Sequence, residues 1–144
     1  FGDTEGLTPL MKMHTLGARF IPEPIHAGGL RYHGMAPLVS HVYQLGLVEA
    51  IAIPQTECFT RAIQFARTEG IVPAPEPTHA IAAAVREAIA CRESGEPKVI
   101  LTALCGHGHL DLASYDKFLH GGMQDLELSD AALAEAMKRV PDIA

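Results

Sequence analysis

The chain has 144 residues, 48% of them hydrophobic and 19% charged, and its net charge at pH 7 is −6. These values predict one folded domain over residues 1–144 rather than a disordered chain. Because the acidic chain has no cluster of Lys and Arg and no apolar run long enough to span a bilayer, we expect neither nucleic acid nor a membrane as partner.

The first part of the chain predicts little regular structure. Residues 10–16 place Leu and Met on one face of a short helix that Gly17 ends. The segment 26–34 is rich in glycine and mixed in polarity. It is equally compatible with a loop that approaches a ligand and with an ordinary surface connection.

The middle of the chain predicts a helix that starts at Pro37, followed by a short buried strand over residues 48–53. Two longer helices come next. Thr56 is the expected cap of the first, which Gly70 ends, and Pro77 is the expected start of the second, which runs to Ser94.

Residues 98–104 are the strongest strand candidate and lead into a loop suited to chemistry. They are apolar or β-favouring at nearly every position, which is typical of a strand covered on both faces by helices. Ligands of open α/β sheets bind at the carboxyl ends of strands, where Cys105–His109 lies. Short helices are expected over residues 112–118 and after a cap at Ser129. The predicted fold is therefore α/β, with a parallel sheet flanked by helices.

The side chains of this loop are compatible with more than one chemistry. Cys105, His107 and His109, with Asp111 and His120, are donor types that suit zinc, but the spacing more often belongs to histidines that only hydrogen-bond. Cys105 beside glycine amides is either a nucleophile or, more commonly, a small buried hydrophobic residue.

Two charged residues elsewhere are further candidates. Glu76 precedes the expected helix start, where it either balances the helix dipole or contacts a polar group of a cofactor. Arg31, in the glycine-rich segment, either binds a carboxylate or is a solvated charge. The three cysteines are odd in number and widely spaced, which favours reduced thiols in a cytoplasmic protein.

Taken together, four segments in order resemble the C-terminal part of the tryptophan synthase β chain: Gly29–Tyr32, Arg67–Ala74, Glu76–Ala80 and Leu104–Gly108. Residues 5–10, 26–34 and 106–109 are closer to the second β-chain subgroup, which need not pair with an α chain. The resemblance covers nearly all of residues 5–119.

This resemblance implies a pyridoxal-phosphate enzyme of fold type II, with residues 1–144 forming the C-terminal portion of its larger cofactor domain. It implies a lyase that condenses indole with L-serine to L-tryptophan, the cofactor supplying the electron sink. The implied partners are these substrates, the remainder of the β chain and a second copy in a homodimer. An α chain is an optional partner.

The resemblance also assigns roles to individual residues. Cys105 occupies the position of a serine against the pyridine nitrogen, and Gly106 lies beside the ring. Glu76 matches a glutamate at the cofactor's hydroxyl edge, and Gly29 matches a backbone contact near the same ring. Arg31 replaces an aspartate that gates the closed state.

The resemblance implies a site for a monovalent cation as well, near the main-chain carbonyls of Tyr32 and Gly34. Two substitutions depart from the family pattern. Cysteine at position 105 keeps a weak donor but adds a redox-sensitive thiol. Pro77 follows Glu76 where the family usually has a small residue.

The Schiff-base lysine and the phosphate-binding cup of the family are missing. None of the four lysines stands in such a context: Lys12, Lys98, Lys117 and Lys138. We therefore expect the chain by itself to be inactive, with no catalytic residue and no metal ligand of its own. The alternative is a non-catalytic binding or assembly module that keeps the fold and has lost the chemistry.

Overall fold

A computed structural model describes residues 5–8 and 11–140. The helices of this part are α1 (Pro37–Gln44), α2 (Gln55–Glu69), α3 (Pro75–Ser94), α4 (Leu112–Leu119) and α5 (Asp130–Met137), with 3-10 turns at Gly28–Arg31 and Gly108–Leu110. None of these helices is long and apolar enough to cross a membrane.

The described residues fall into two compact units. The first contains the described residues up to 23, residues 31–51 and those from 127 onward. The second contains residues 24–30 and 52–126. The expected ligand loop and both long helices belong to the second unit.

The predicted helices after residue 36 are confirmed, with changes at their starts. Helix α2 begins at Gln55, so Thr56 lies inside it; Asp125 caps this end by accepting hydrogen bonds from the Thr56 N–H (2.9 Å) and hydroxyl (2.6 Å). Helix α3 begins at Pro75 instead of Pro77 because proline also suits the first helical position. Ser129 caps α5 as predicted, accepting from the Ala132 N–H.

One prediction for the first part of the chain, the short helix, is wrong. Residues 11–16 contain no helix, and residue 10 lies outside the described residues. Instead, Thr15 pairs with Gly34 in an isolated antiparallel bridge, and the His14 carbonyl accepts a hydrogen bond from the Met35 N–H. Part of the segment expected to be a loop over residues 26–34 forms the 3-10 turn at Gly28–Arg31.

The predicted parallel sheet is not formed by the described part of the chain, which contains no β-strand. Residues 48–53 and 98–104 are irregular, and Val99 and Leu101 are 99% and 96% exposed. A strand persists only where a neighbour satisfies its row of N–H and C=O groups. Neither segment has such a neighbour among the described residues, so apolar composition alone does not produce a sheet here.

The core of the second unit lies where α2 packs on α3 and α4. Phe59 and Ala62 of α2 are buried with Tyr115 of α4 and with Met123. The rings of Phe59 and Tyr115 meet edge to face, with centroids 5.0 Å apart. Burial raises the pKa of the Cys58 thiol on α2 to about 11, which makes this cysteine an inert core residue.

A bidentate ion pair joins α2 to α3 on the surface of this core. The Arg86 Nε donates to the Glu57 Oε1 at 2.7 Å, and the Arg86 Nη2 donates to Oε2. This hydrogen bond and the positive charge hold the pKa of the Glu57 carboxyl below its ordinary value. The pair links the two helices that border the candidate site.

Candidate functional site

The Cys105 loop runs antiparallel to the three residues that precede α3. The Ala74 N–H donates to the Gly106 carbonyl at 3.2 Å, and the Gly108 N–H donates to the Val72 carbonyl at 2.8 Å. Between these hydrogen bonds, Pro73 and His107 form an isolated bridge. The loop is thus tied directly to the chain that enters α3.

Glycine is required at two positions of this loop because the backbones approach closely. A Cβ added to Gly108 would lie 2.5 Å from the Pro73 carbonyl oxygen, which no side-chain rearrangement can relieve. Gly106 has φ +115°, and its Cβ would lie 3.0 Å from the Ala74 Cβ. The two glycines that the sequence identified are therefore needed for the loop to reach residues 72–74.

Tyr115 of α4 fixes the other side of the same segment. Its ring is buried, and its hydroxyl donates to the Pro73 carbonyl at 2.5 Å. Burial, with a smaller contribution from the charge of Asp111, raises the Tyr115 pKa well above its usual range. The phenol therefore remains a neutral donor, and Pro73 is held between the Cys105 loop and the core.

Glu76 is the second residue of α3 and contacts the glycine-rich segment. Its Oε1 accepts a hydrogen bond from the Gly29 N–H at 2.9 Å. A Cβ on Gly29 would lie 3.2 Å from the Glu76 Cγ, so a larger residue would push this carboxylate away. The structure therefore brings together two of the residues that the sequence selected.

His79 lies one turn after Glu76 on α3 and is half-buried. Burial lowers its pKa below the ordinary value of 6.5, and the negative charge of Glu76 opposes this effect in part. Sequence reasoning did not select His79. The sequence did contain a signal for it: residues three apart on a helix share a face, which places His79 beside Glu76.

The remaining predicted site residues lie in different surroundings. Cys105 is exposed on the loop, next to Gly106. Arg31 belongs to the first unit, where its Nη2 donates to the Pro22 carbonyl at 3.2 Å, while its buried Nε has no hydrogen-bond partner among the described residues. Tyr32 and Gly34, expected near a cation, also belong to this unit.

The histidines of the loop interact with each other. The ring centroids of His107 and His109 are 3.8 Å apart, and the His107 Nδ1 accepts from the His109 N–H at 3.3 Å. Within residues 5–8 and 11–140, no group of three or more His, Cys, Asp or Glu is arranged to hold a metal ion. His120 instead directly follows α4, and its Nδ1 lies 3.3 Å from a carboxylate oxygen of Asp116.

A cluster around His26 was missed by sequence reasoning. The His26 N–H donates to the Gln55 Oε1 at 3.1 Å. Its ring nitrogens Nδ1 and Nε2 lie 3.4 Å from the Ser114 Oγ and 3.3 Å from the Lys117 Nζ, respectively. These partners are about 30 and 90 residues away along the chain, a distance at which spacing carries no signal.

Comparison with known proteins finds similar chains. No family model matches the chain. It is 64% identical to tryptophan synthase beta chain 2 of Aquifex aeolicus over 125 residues, which is 87% of this chain and 29% of that protein. The resemblance to the tryptophan synthase β chain is confirmed. Tryptophan synthase beta chain 2 of Methanosarcina mazei is 57% identical over 124 residues, covering 86% of this chain and 28% of that protein.

Tryptophan synthase beta chain 2 of Pyrococcus furiosus matches almost the whole chain. It is 50% identical over 141 residues, or 98% of this chain and 32% of that protein. The chain thus spans roughly 30% of the length of the tryptophan synthase β relatives it matches. Their names, which carry the number 2, agree with the subgroup expected from residues 26–34 and 106–109.

Proposed function

We propose that this chain is the C-terminal part of a pyridoxal-phosphate-dependent, tryptophan synthase β-like lyase that condenses indole with L-serine to L-tryptophan. By itself, the chain is inactive. The observation that carries the proposal is 50–64% identity to relatives named tryptophan synthase beta chain 2, over a stretch that contains the four cofactor contacts expected on this chain. The proposal includes a cytoplasmic location, which the free cysteines support.

Four residues of the second unit would hold the cofactor: Gly29, Glu76, Cys105 and Gly106. Their arrangement is compatible with this role, because one hydrogen bond joins Gly29 to Glu76 and another joins Gly106 to Ala74, two residues before Glu76. Pyridoxal phosphate supplies an electron sink for chemistry at the substrate Cα. The Cys105 thiol is a weak donor that would leave the pyridine nitrogen largely unprotonated.

Arg31 and the neighbouring carbonyls belong to the same proposal. Arg31 gates the substrate site. Its buried Nε, which has no hydrogen-bond partner among the described residues, supports this role because guanidinium groups bind carboxylates. The carbonyls near Tyr32 and Gly34 hold a monovalent cation. The backbone of Gly34 is held in place by its antiparallel bridge to Thr15, which supports this role.

In this proposal, the rest of the β chain completes the fold and the assembly. Residues 98–104 become a strand of a parallel sheet in the cofactor domain when the rest of the β chain supplies neighbouring strands. The exposed Val99 and Leu101 support this, because both side chains gain burial in a sheet covered on both faces. The complete protein forms a homodimer and does not need an α chain.

A non-catalytic assembly module is the second candidate. The observation in its favour is that two of the lysines make ordinary contacts: Lys117 contacts His26, and Lys98 lies 3.9 Å from Glu87. In this second candidate, the chain keeps the family's sequence but has no lysine that could bind the cofactor covalently. Cysteine at position 105 also agrees with a loss of the chemistry.

A chimaera distinguishes the two candidates. The aligned 125 residues of the Aquifex aeolicus relative are replaced by those of this chain, and L-tryptophan formed from indole and L-serine is measured by chromatography with pyridoxal phosphate present. We expect activity from the chimaera and none from the 144-residue chain. The unmodified relative is the positive control, and the chimaera with Glu76→Ala is the matched negative control.

Two results of this experiment would contradict parts of the proposal. A chimaera that folds and retains bound cofactor but forms no tryptophan supports the assembly module and overturns the proposed activity. Tryptophan formed by the isolated chain contradicts the view that its catalytic anchor lies elsewhere.

A further inference from the structure

The loop over residues 24–30, which carries Gly29, is attached to the core of the second unit through His26. The His26 backbone N–H is held by the side chain of Gln55, whose amide nitrogen in turn donates to the Gln124 carbonyl. The His26 ring reaches α4 at Ser114 and Lys117. One histidine thus connects the loop to the start of α2 and to α4.

The contacts of the ring define its protonation state. The ammonium group of Lys117 has only donors, so the His26 Nε2 must be the acceptor of this hydrogen bond. The proton of the neutral ring is therefore on Nδ1, from where it is donated to the Ser114 hydroxyl oxygen. Only the neutral Nδ1–H tautomer satisfies both contacts at once.

A second proton on the ring would remove this acceptor. It would also place two positive charges on His26 Nε2 and Lys117 Nζ, 3.3 Å apart. The acidic groups on the neighbouring elements are engaged elsewhere: Asp125 caps α2 at Thr56, Glu57 pairs with Arg86, Asp116 pairs with His120, and Glu76 holds Gly29. Asp111, which precedes α4, acts on Tyr115 instead. Burial and the charge of Lys117 accordingly lower the pKa of His26 below its ordinary value of 6.5.

We propose that His26 is a proton-sensitive positioning residue, which holds the loop carrying Gly29 against α3 while it is neutral and releases the loop when it is protonated beside Lys117. The release is local, because the core around Phe59 and Tyr115 does not depend on His26. This inference does not depend on which ligand the loop meets.

Amide hydrogen exchange on the 144-residue chain, read residue by residue by NMR, tests the proposal. The Leu30 N–H is the reporter, because it donates to the Ala27 carbonyl at 3.0 Å and this acceptor does not titrate. After correction for the intrinsic pH dependence of exchange, we expect Leu30 protection to fall severalfold between pH 7.5 and 5. Protection of core amides of α2 should fall only as far as the free energy of unfolding, measured at the same pH values, falls.

Two variants decide the cause. His26→Gln keeps an acceptor for Lys117 and cannot be protonated, so Leu30 protection should become independent of pH. Lys117→Gln removes the repulsion, so it should raise the His26 pKa measured from the ring protons and reduce the loss of protection. His41→Gln, at an exposed histidine of α1, is the matched control and should behave as the wild type.

The proposal is overturned if wild-type Leu30 protection is unchanged at pH 5, or if His26→Gln loses it as the wild type does. If His26→Gln does not fold, Lys117→Gln decides alone: an unchanged His26 pKa and an unchanged loss of protection overturn the proposal. Because none of these measurements uses cofactor or substrate, their failure is distinguishable from failure of the proposed activity.

Discussion

The backbone N–H of Gly29 donates a 2.9 Å hydrogen bond to the carboxylate of Glu76, which lies 47 residues further along the chain. The two positions constrain each other. Glycine is needed because a Cβ would approach the Glu76 side chain, and Glu76 is held because its carboxylate has a fixed donor. A carboxylate at the start of a helix also gains from the positive end of the helix dipole.

The first prediction tests this contact. Glu76→Gln retains an oxygen acceptor for the Gly29 N–H, whereas Glu76→Ala removes it. A hydrogen bond of this kind contributes roughly 0.5–1.5 kcal/mol. We therefore expect Gly29 amide exchange to accelerate a few-fold to about tenfold in Glu76→Ala and much less in Glu76→Gln. Equal protection in the alanine variant and the wild type would show that the contact does not hold the loop.

The second prediction concerns the approach of the Cys105 loop to Pro73. In Gly108→Ala the new Cβ collides with a backbone carbonyl, so we expect a loss of roughly 1–3 kcal/mol or more in the free energy of unfolding, measured with urea. Gly28→Ala is the matched control, because its Cβ would meet nothing closer than the Glu76 Oε1 at 4.0 Å. Equal destabilisation of both variants would contradict the close approach.

The third prediction concerns the Tyr115 hydroxyl. Tyr115→Phe keeps the ring in the core but leaves the Pro73 carbonyl without this donor, which costs roughly 1–3 kcal/mol for a buried group. The loss should appear in urea unfolding and as faster exchange of the neighbouring Ala74 amide. Tyr43→Phe, at a tyrosine that is 46% exposed, should change neither. An unaffected Tyr115→Phe variant would rule out this anchor.

Helix positions were predictable from the sequence because they depend on local signals. Gly70 and Gly95 adopt φ +72° and +74° and end α2 and α3 close to where the sequence indicated. The start of α2 was less predictable, since its cap is Asp125, far along the chain. The predicted sheet is not confirmed in the described residues, because strand pairing depends on neighbours that the apolar run 98–104 does not specify.

The candidate site was partly predictable for the same reason. Gly106 and Gly108 were recognisable as positions of close approach from their spacing, and Glu76 from its place at a helix start. The partners that orient them were not, because Tyr115 reaches Pro73 and His26 reaches Lys117 only after the helices pack. Roles in cofactor binding came from the family resemblance, and the residue-level assignments stay predictions.

The fourth prediction concerns stability in mild acid. Burial lowers the pKa of His79 in the folded chain, so between this pKa and the ordinary value of 6.5 the unfolded chain binds more protons. The contribution of the neutral His79 is therefore fully present above about pH 7 and is lost as the pH falls through the folded-state pKa. His26 acts in the same direction.

Urea unfolding of the wild type from pH 8 to pH 5 measures this effect. The free energy of unfolding should fall in acid, and His79→Gln should have a shallower slope, since one of the two titrating groups is gone. Each group contributes only a fraction of the limiting slope of about 1.4 kcal/mol per pH unit, because both side chains are partly exposed and solvent screens their charges. His41→Gln should keep the wild-type slope because that side chain is exposed. If the His79→Gln slope equals that of the wild type, the pKa of His79 is the same in the folded and unfolded chain. Burial then does not keep this side chain neutral.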